Sequence, residues 1–263
     1  MEVPYNQSLE GSAKICQSSR QHAGRRLTTP LTGERLVILL FGPPGSGKGT
    51  QARLILDWFR PRIIPSISTG DMLRAEMAAK TPLGLKTQAI ITAGGLVNDD
   101  IINQILCARI SQPDCRDGFL LDGYPRTVEQ AEFLDKVLAG RGLPPPVVVH
   151  LDVPSHVLIG RMISRRQCPK CNRMFNILTD RPKVPGRCDD CDTPLIVRKD
   201  DQEDVIRERL KTYKEVTRAV LGHYASTQHF QISGDRSASY IFEEITKILE
   251  GIVQDERYQG SGI

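Results

Sequence analysis

The chain has 263 residues, 40% of them hydrophobic and 25% charged, with a net charge of +4. This is ordinary globular composition, and the charge is too small to imply a nucleic-acid partner by itself. No run approaches the roughly 20 apolar residues of a membrane span, and seven cysteines in this length do not make a disulfide scaffold.

Residues 1–33 carry Ser, Gln and Gly with few large apolar side chains, and read as a flexible extension. Arg20, Arg25 and Arg26 hint at an organelle-targeting peptide, while Glu2 and Glu10 count against one. A cytoplasmic location is therefore expected, with a mitochondrial or other organelle matrix as the alternative. The C-terminal Ser-Gly-Ile matches no receptor-read address.

The first strand is predicted over Leu36–Phe41 and stops at Gly42-Pro-Pro-Gly-Ser-Gly-Lys-Gly-Thr50. An apolar run ending in a glycine-rich loop, with Lys and Thr opening a helix, is a phosphate cradle at a helix N-terminus. Gly45, Ser46, Gly47, Lys48, Gly49 and Thr50 make up the loop, Lys48 reaching toward β/γ-phosphates and Thr50 placed beside Mg²⁺. A nucleoside triphosphate is the expected first ligand. Gly49 stands between the Lys and the Thr, so the fit to the general loop pattern is loose.

A helix over Gly49–Phe59 follows, then a strand over Arg62–Ser68 and a helix over Asp71–Lys80. Thr69 and Gly70 open that helix toward the same crevice, and Arg74 lies near its start, free to pair with a phosphate. A helix over Asp99–Ser111 precedes a strand over Gly118–Leu121. Phe119-Leu-Leu-Asp122 is an apolar strand ending in Asp, the pattern of a Mg²⁺ partner at a phosphate-loop site. Gly123-Tyr-Pro-Arg126 then carries a guanidinium outward. Helix Thr127–Ala139, strand Pro146–Val153 and helix Ser155–Arg166 come next, Ser155 reading as a cap. A long charged helix over Asp201–Ala225, a strand over Phe230–Ser233 and a helix over Ser237–Val253 close the chain. Strand–helix alternation implies α/β architecture: a parallel sheet covered on both faces, with ligands at the carboxyl ends of its strands.

Gln167–Lys199 breaks the rhythm, with no sustained period, several prolines and four of the seven cysteines. Cys168-Pro-Lys-Cys171 and Cys188-Asp-Asp-Cys191 are sixteen residues apart, the spacing of a four-thiolate zinc site. Structural Zn²⁺ is expected, because so short an insert cannot bury a core of its own. Phe175 is its one aromatic residue, which disfavours a nucleic-acid-stacking knuckle. Arginines bracket the insert: Arg161, Arg165 and Arg166 before it, Arg198, Arg207 and Arg209 after it. Charges at both ends of a hinged element can be carried onto phosphates. Cys107 reads as core, Cys16 and Cys115 receive no role, and the histidines form no ligand pattern.

The phosphate loop, Ser68-Thr-Gly-Asp-Met-Leu-Arg74, Leu121-Asp-Gly-Tyr-Pro-Arg-Thr127 and Arg198-Lys-Asp-Asp-Gln-Glu203 together resemble adenylate kinase in order and spacing, over about Leu36 to Val253. The Gly-Lys-Gly-Thr ending is what that family has. The resemblance implies a P-loop nucleoside monophosphate kinase fold with a five-stranded parallel sheet. It implies a core of 34–67, 98–163 and 202–256, an AMP-binding segment of 68–97 and a zinc-binding lid of 164–201. The implied reaction is phosphoryl transfer from MgATP to AMP giving two ADP, which maintains adenine nucleotide balance. Carried over by position, Lys48, Arg126, Arg165, Arg198 and Arg209 are the implied catalytic residues. The phosphate loop, Arg161, Arg165, Met174, Phe175 and Arg236 would hold ATP. Thr69, Arg74, Gly95, Leu96, Val97, Gly123, Arg126, Gln130, Arg198 and Arg209 would hold AMP. Thr50 and Asp122 would sit with Mg²⁺, and Cys168, Cys171, Cys188 and Cys191 with Zn²⁺. A monomer with no nucleic-acid or membrane partner is expected.

The chain departs from the family pattern at Asn98, Asn172 and Asn176, where Pro, Gly and His are common. Two other readings stand beside this one. A kinase for a different nucleoside monophosphate is disfavoured by Thr69, where pyrimidine-specific relatives tend to carry Ala. A zinc-knuckle nucleic-acid-binding ATPase would show salt-sensitive binding and hydrolysis without AMP.

Overall fold

The computed structural model describes residues 35–60 and 64–253. The N-terminal extension and Cys16 lie outside them. β1 (Leu36–Phe41) is buried at every position. Its side chains alternate between faces: Val37, Leu39 and Phe41 join one core, Leu36, Ile38 and Leu40 the other. A strand apolar on both faces belongs in mid-sheet. β1 is the centre of a sheet ordered β2-β3-β1-β4-β7, formed with β2 (Ser66–Ser68), β3 (Gly118–Asp122), β4 (Val147–Asp152) and β7 (His229–Ser233). Every neighbouring pair is parallel.

Helices α1 (Lys48–Trp58) and the C-terminal α9 (Ala238–Val253) cover one face through Ile55, Ile241, Ile245 and Leu249. Helices α4 (Asp99–Ile110) and α5 (Val128–Gly140) cover the other through Leu106, Ile110, Phe133 and Leu134. From β1 the chain passes to the far side of β3, returns, and then crosses to β4. The connections therefore diverge at the carboxyl end of β1, where the open crevice of such sheets lies. Register sets Leu40 opposite Asp122, so the end of β3 is level with the start of the phosphate loop.

Several boundaries differ from the sequence reading. β2 is confined to Ser66–Ser68; Pro65 cannot donate to a ladder, and residues 61–63 lie outside the described set. Helix α2 (Thr69–Ala78) starts earlier, capped by Ser68 accepting from Asp71 N. Helix α3 (Pro82–Thr92) went unassigned, although Thr81 caps it and Pro82 opens it in the expected way. Ser155 is not the cap of α6 (Ser155–Ile163); Pro154 holds that position without a side-chain bond. α6 also ends sooner than expected, because the chain turns into β5 (Arg165–Gln167), which pairs antiparallel with β6 (Met174–Asn176). The long helix over Asp201–Ala225 is broken. α7 (Glu203–Glu215) stops at Val216, and a 3₁₀ turn leads to α8 (Val220–His223). Two β-branched residues, Val216 and Thr217, sit at the break.

His150 lies on β4, buried against Phe41 and bonded through Nε2 to the Tyr213 hydroxyl at 3.3 Å. Burial pushes its pKa down to about 4, so it is a neutral core residue near pH 7.

Candidate active site and zinc centre

The carboxyl ends of β1, β2 and β3 open into one cleft of about 1100 Å³. The phosphate loop forms its floor. Gly47 holds the N-cap of α1 at φ +98°, which only glycine adopts readily, and a Cβ there would meet nothing within 4 Å. The loop therefore faces open space on the side where an anion would lie. Gly45 is constrained from the opposite side: a Cβ would come within 2.8 Å of Met162 Cγ on α6.

Lys48 folds back over its own loop, donating to the carbonyls of Gly42 at 2.8 Å and Pro43 at 3.0 Å. Burial lowers its pKa to about 8; Asp122 opposes this, while Arg126, Arg209 and Arg165 add to it. The Asp122 carboxyl is raised by burial, with Lys48 pulling the other way. Its oxygens take no hydrogen bond among the described residues, and Thr50 lines the same floor. A hard-cation position fits here, with a half-buried carboxylate and a hydroxyl as oxygen donors.

Opposite the loop, the Thr69 hydroxyl donates to Gly123 O at 3.0 Å, joining α2 to the end of β3. Arg74 pairs with Asp71, and its buried Nε has no partner. Arg126 Nε donates to Gly123 O at 2.8 Å, and burial lowers its pKa. Gln130 is 2% exposed: its Oε1 accepts from Arg126 N at 2.8 Å and its Nε2 donates to Asp99 at 2.7 Å. Gly95, Leu96 and Val97 line the wall beside it.

The third wall is a set of arginines held by two carboxylates. Arg198 donates to both oxygens of Asp200 at 3.0 Å, and Arg209 donates to the same residue at 2.9 Å. Arg165 grips Asp201 through Nε at 2.7 Å and through Nη2. Burial, with Arg165 and Arg74 nearby, lowers Arg198 to about 10. Burial lowers Arg209 to about 9; Asp200 resists this, and Arg165, Arg198 and Arg126 contribute. Burial favours a raised Asp200, but Arg198 and Arg209 outweigh it and hold that carboxyl well below its usual range. Cations that depress one another's pKa in a single cleft are poised for a polyanion. Arg161 donates to Gly234 O at 2.8 Å beside Asp235. Arg236 lies over the Tyr240 ring at 5.8 Å, at the cleft edge.

Of the bracketing arginines, Arg166 and Arg207 do not line the cleft. Arg166 donates to the carbonyls of Ile163 and Arg165, and Arg207 makes an exposed pair with Glu203. Met174 and Phe175 both line the cleft wall, and Phe175, only 2% exposed, also packs with Cys168 and Cys188. Its ring serves the insert's core, with Arg173 over it at 4.7 Å. Sequence reasoning missed Asp99, Asp200 and Asp201. The last two were visible as acids two and three residues after Arg198; Arg198 itself pairs with Asp200, and the remaining partners, Arg209 and Arg165, come from α7 and β5.

The four insert cysteines bring their Sγ atoms within 4.8 Å of one another. Cys168 and Cys191 are 3.4 Å apart, Cys171 and Cys188 3.5 Å, and Cys171 and Cys191 3.8 Å. These separations are too long for disulfides, and they approach the ~3.8 Å edge of a tetrahedron with Zn–S bonds of ~2.3 Å. The donor set fits Zn²⁺. Both C-x-x-C turns end on a residue with left-handed backbone, Asn172 (φ 61°) and Asp192 (φ 54°). Asn and Asp are the non-glycine residues that best tolerate it, so Asn172 suits its place. The other departures are equally settled. Asn98 caps α4 by accepting from Asp100 N at 2.9 Å. Asn176 accepts from Leu178 N and Thr179 N and donates to Arg161 O.

The adenylate kinase family model matches residues 40–229. Among curated relatives, the adenylate kinase of Clostridium acetobutylicum is 44% identical over 213 residues, covering 81% of this chain and 98% of that protein. That of Clostridium novyi is 41% identical over 215 residues, with 81% and 98% covered. That of Methanothrix thermoacetophila is 44% identical over 213 residues, with 81% and 97% covered.

Proposed function

The chain belongs to the adenylate kinase family, and from that premise we propose how its cleft carries out the reaction. The reaction is reversible phosphoryl transfer from MgATP to AMP, giving two ADP. The observation that carries the assignment of residues is the convergence of Lys48, Arg126, Arg165, Arg198 and Arg209 on one cleft. Phosphoryl transfer asks the protein for alignment and charge stabilisation rather than covalent chemistry.

In this reading the phosphate loop, residues 45–50, and Arg161 hold the ATP phosphates, and Met174, Phe175 and Arg236 flank the adenine. Thr69, Arg74, Arg126 and Gln130 hold AMP, with residues 95–97 and Gly123 forming its wall. Arg165, Arg198 and Arg209 span the two phosphate chains, kept at full charge and fixed in place by Asp200 and Asp201. Thr50 and Asp122 would hold Mg²⁺, which neutralises charge on the transferring phosphates. Residues 68–97 act as the AMP segment and 164–201 as a lid. Arg165 and Asp201 stand where the two strands of the lid leave the core, so their pairing braces the hinge. Lid closure shuts water from the transferred group, without which the enzyme would hydrolyse ATP.

All these residues come from one chain, so a monomer is sufficient, and no nucleic-acid partner is needed. Clustered free thiols favour a reducing compartment, and we place the protein in the cytoplasm. No helix among the described residues is long and apolar enough to cross a membrane. The organelle alternative would rest on residues 1–33, outside the described set.

The division of labour is tested by kinetics. Arg126→Ala is expected to raise KM for AMP and lower kcat by about 10²-fold or more while KM for ATP stays near its original value. Equal loss for both nucleotides would contradict the assignment of Arg126 to the AMP side.

A further inference from the structure

Gln130 is clamped at both ends, and the clamp has a chemical direction. The Arg126 backbone N–H can only donate, so the amide oxygen must face it, at 2.8 Å. The Asp99 carboxylate can only accept, so the amide nitrogen must face it, at 2.7 Å. A half-turn of the amide would set N–H against N–H and oxygen against carboxylate. Asp99 is itself anchored, because its other oxygen accepts from the Thr127 hydroxyl at 2.6 Å. Thr127 in turn caps α5, its hydroxyl oxygen accepting from Gln130 N at 3.2 Å. One helix turn along α4, Asn103 accepts from the Tyr124 hydroxyl at 2.6 Å, so the same helix fixes the loop leading to Arg126.

An amide has two N–H donors and two acceptor sites. One of each is consumed in the clamp, leaving one N–H and one lone pair for the cleft that Gln130 lines. A 6-amino purine offers an amino donor beside a ring-nitrogen acceptor. A 6-oxo purine offers the reverse, an oxygen acceptor beside a ring N–H. A freely rotating amide would serve both by flipping; a locked one serves a single pattern. Resting on the reading that Gln130 holds AMP, and taking the base as the part its amide meets, we infer that Asp99 is a positioning residue that locks this amide and so selects 6-amino over 6-oxo purine monophosphates. Thr127 and Asn103 support the lock without touching the base.

The test compares kcat/KM for AMP and for inosine monophosphate at saturating ATP, in the full chain and in Asp99→Ala, Asp99→Asn and Gln130→Ala. Asp99→Ala is expected to shrink the AMP preference about tenfold, chiefly through a raised KM for AMP, with KM for ATP unchanged. A purely structural role would depress both acceptors alike and lower the melting temperature; that result overturns the inference. If Asp99→Ala fails to fold, the isosteric Asp99→Asn decides. Its amide can donate as well as accept, so the lock loosens, and the preference is expected to fall about threefold. An unchanged preference overturns the inference. Gln130→Ala separates the two layers. If it leaves the preference intact, the placement of Gln130 at the base is wrong. If it removes the preference while both Asp99 variants retain it, only the lock is wrong.

Discussion

Lys48 sits in a setting that makes its charge conditional. Its ammonium is satisfied by two carbonyls of its own loop, and burial pulls its pKa to about 8. Between pH 8 and 10.5 the unfolded chain holds this proton more firmly than the native one, so this residue's contribution to stability rises with pH across that window. Function moves the opposite way: above pH 8 the free enzyme loses the cation that meets the phosphates. We expect kcat/KM for ATP to fall with an apparent pKa near 8, a drop absent from Lys48→Arg. A flat profile to pH 9.5 would contradict this. Lys48→Met is expected to lower kcat by about 10³-fold or more with the melting temperature nearly unchanged; near-normal turnover would refute the role given to the lysine. At this scale the sequence was most legible where chemistry fixes residue type at fixed spacing, as in the phosphate loop and the cysteine pairs. It was least legible for Asp99 and Asp201, whose partners are brought in by other elements, and for Asp200, which pairs with nearby Arg198 but also with Arg209 from α7. An acid that orients an arginine looks, in one dimension, like any solvated charge.

Among the elements, the sheet was readable because β1 is an unbroken apolar run buried on both faces and β4 is nearly one, interrupted by buried His150 and ending on exposed Asp152. Helix starts were readable to within a residue at Asp99 and Thr127, where side-chain caps on Asn98 and Thr127 fix them, whereas the one cap read from the sequence, Ser155, is displaced by Pro154. The break at Val216 was hidden, because charged helical periodicity continues in α7 up to it. The reach of the second strand was overestimated because apolar residues near Ile64 mimic strand character while Pro65 stops the ladder. Phe175 illustrates a different ambiguity: in so small an insert the one aromatic ring is needed as core, and it packs on the cysteines while one edge still lines the cleft. The insert's own apolar core is little more than Cys168, Phe175 and Cys188, with Cys191 and Leu195 against it. A metal must then supply what burial cannot. We expect one zinc per chain by metal analysis, and a melting temperature about 5 °C lower or more after verified removal. Unchanged melting with the metal gone would rule out a structural role.

For the molecule as a whole, the cleft gathers cations from the phosphate loop, the β3 end, both ends of the cysteine-bearing insert and α7, and holds several of them on carboxylates. Breaking one such buried pair leaves an uncompensated charge, at a cost of roughly 3–5 kcal/mol. So many cations lining one cleft suit a ligand that brings two phosphate chains together. The central claim is thus that two nucleotides lie with their phosphates facing in one water-free space. Its most direct test is inhibition by two adenosines joined through five phosphates, measured against each substrate in turn. The account predicts competition with both ATP and AMP. Competition with only one of them, or with neither, would contradict it.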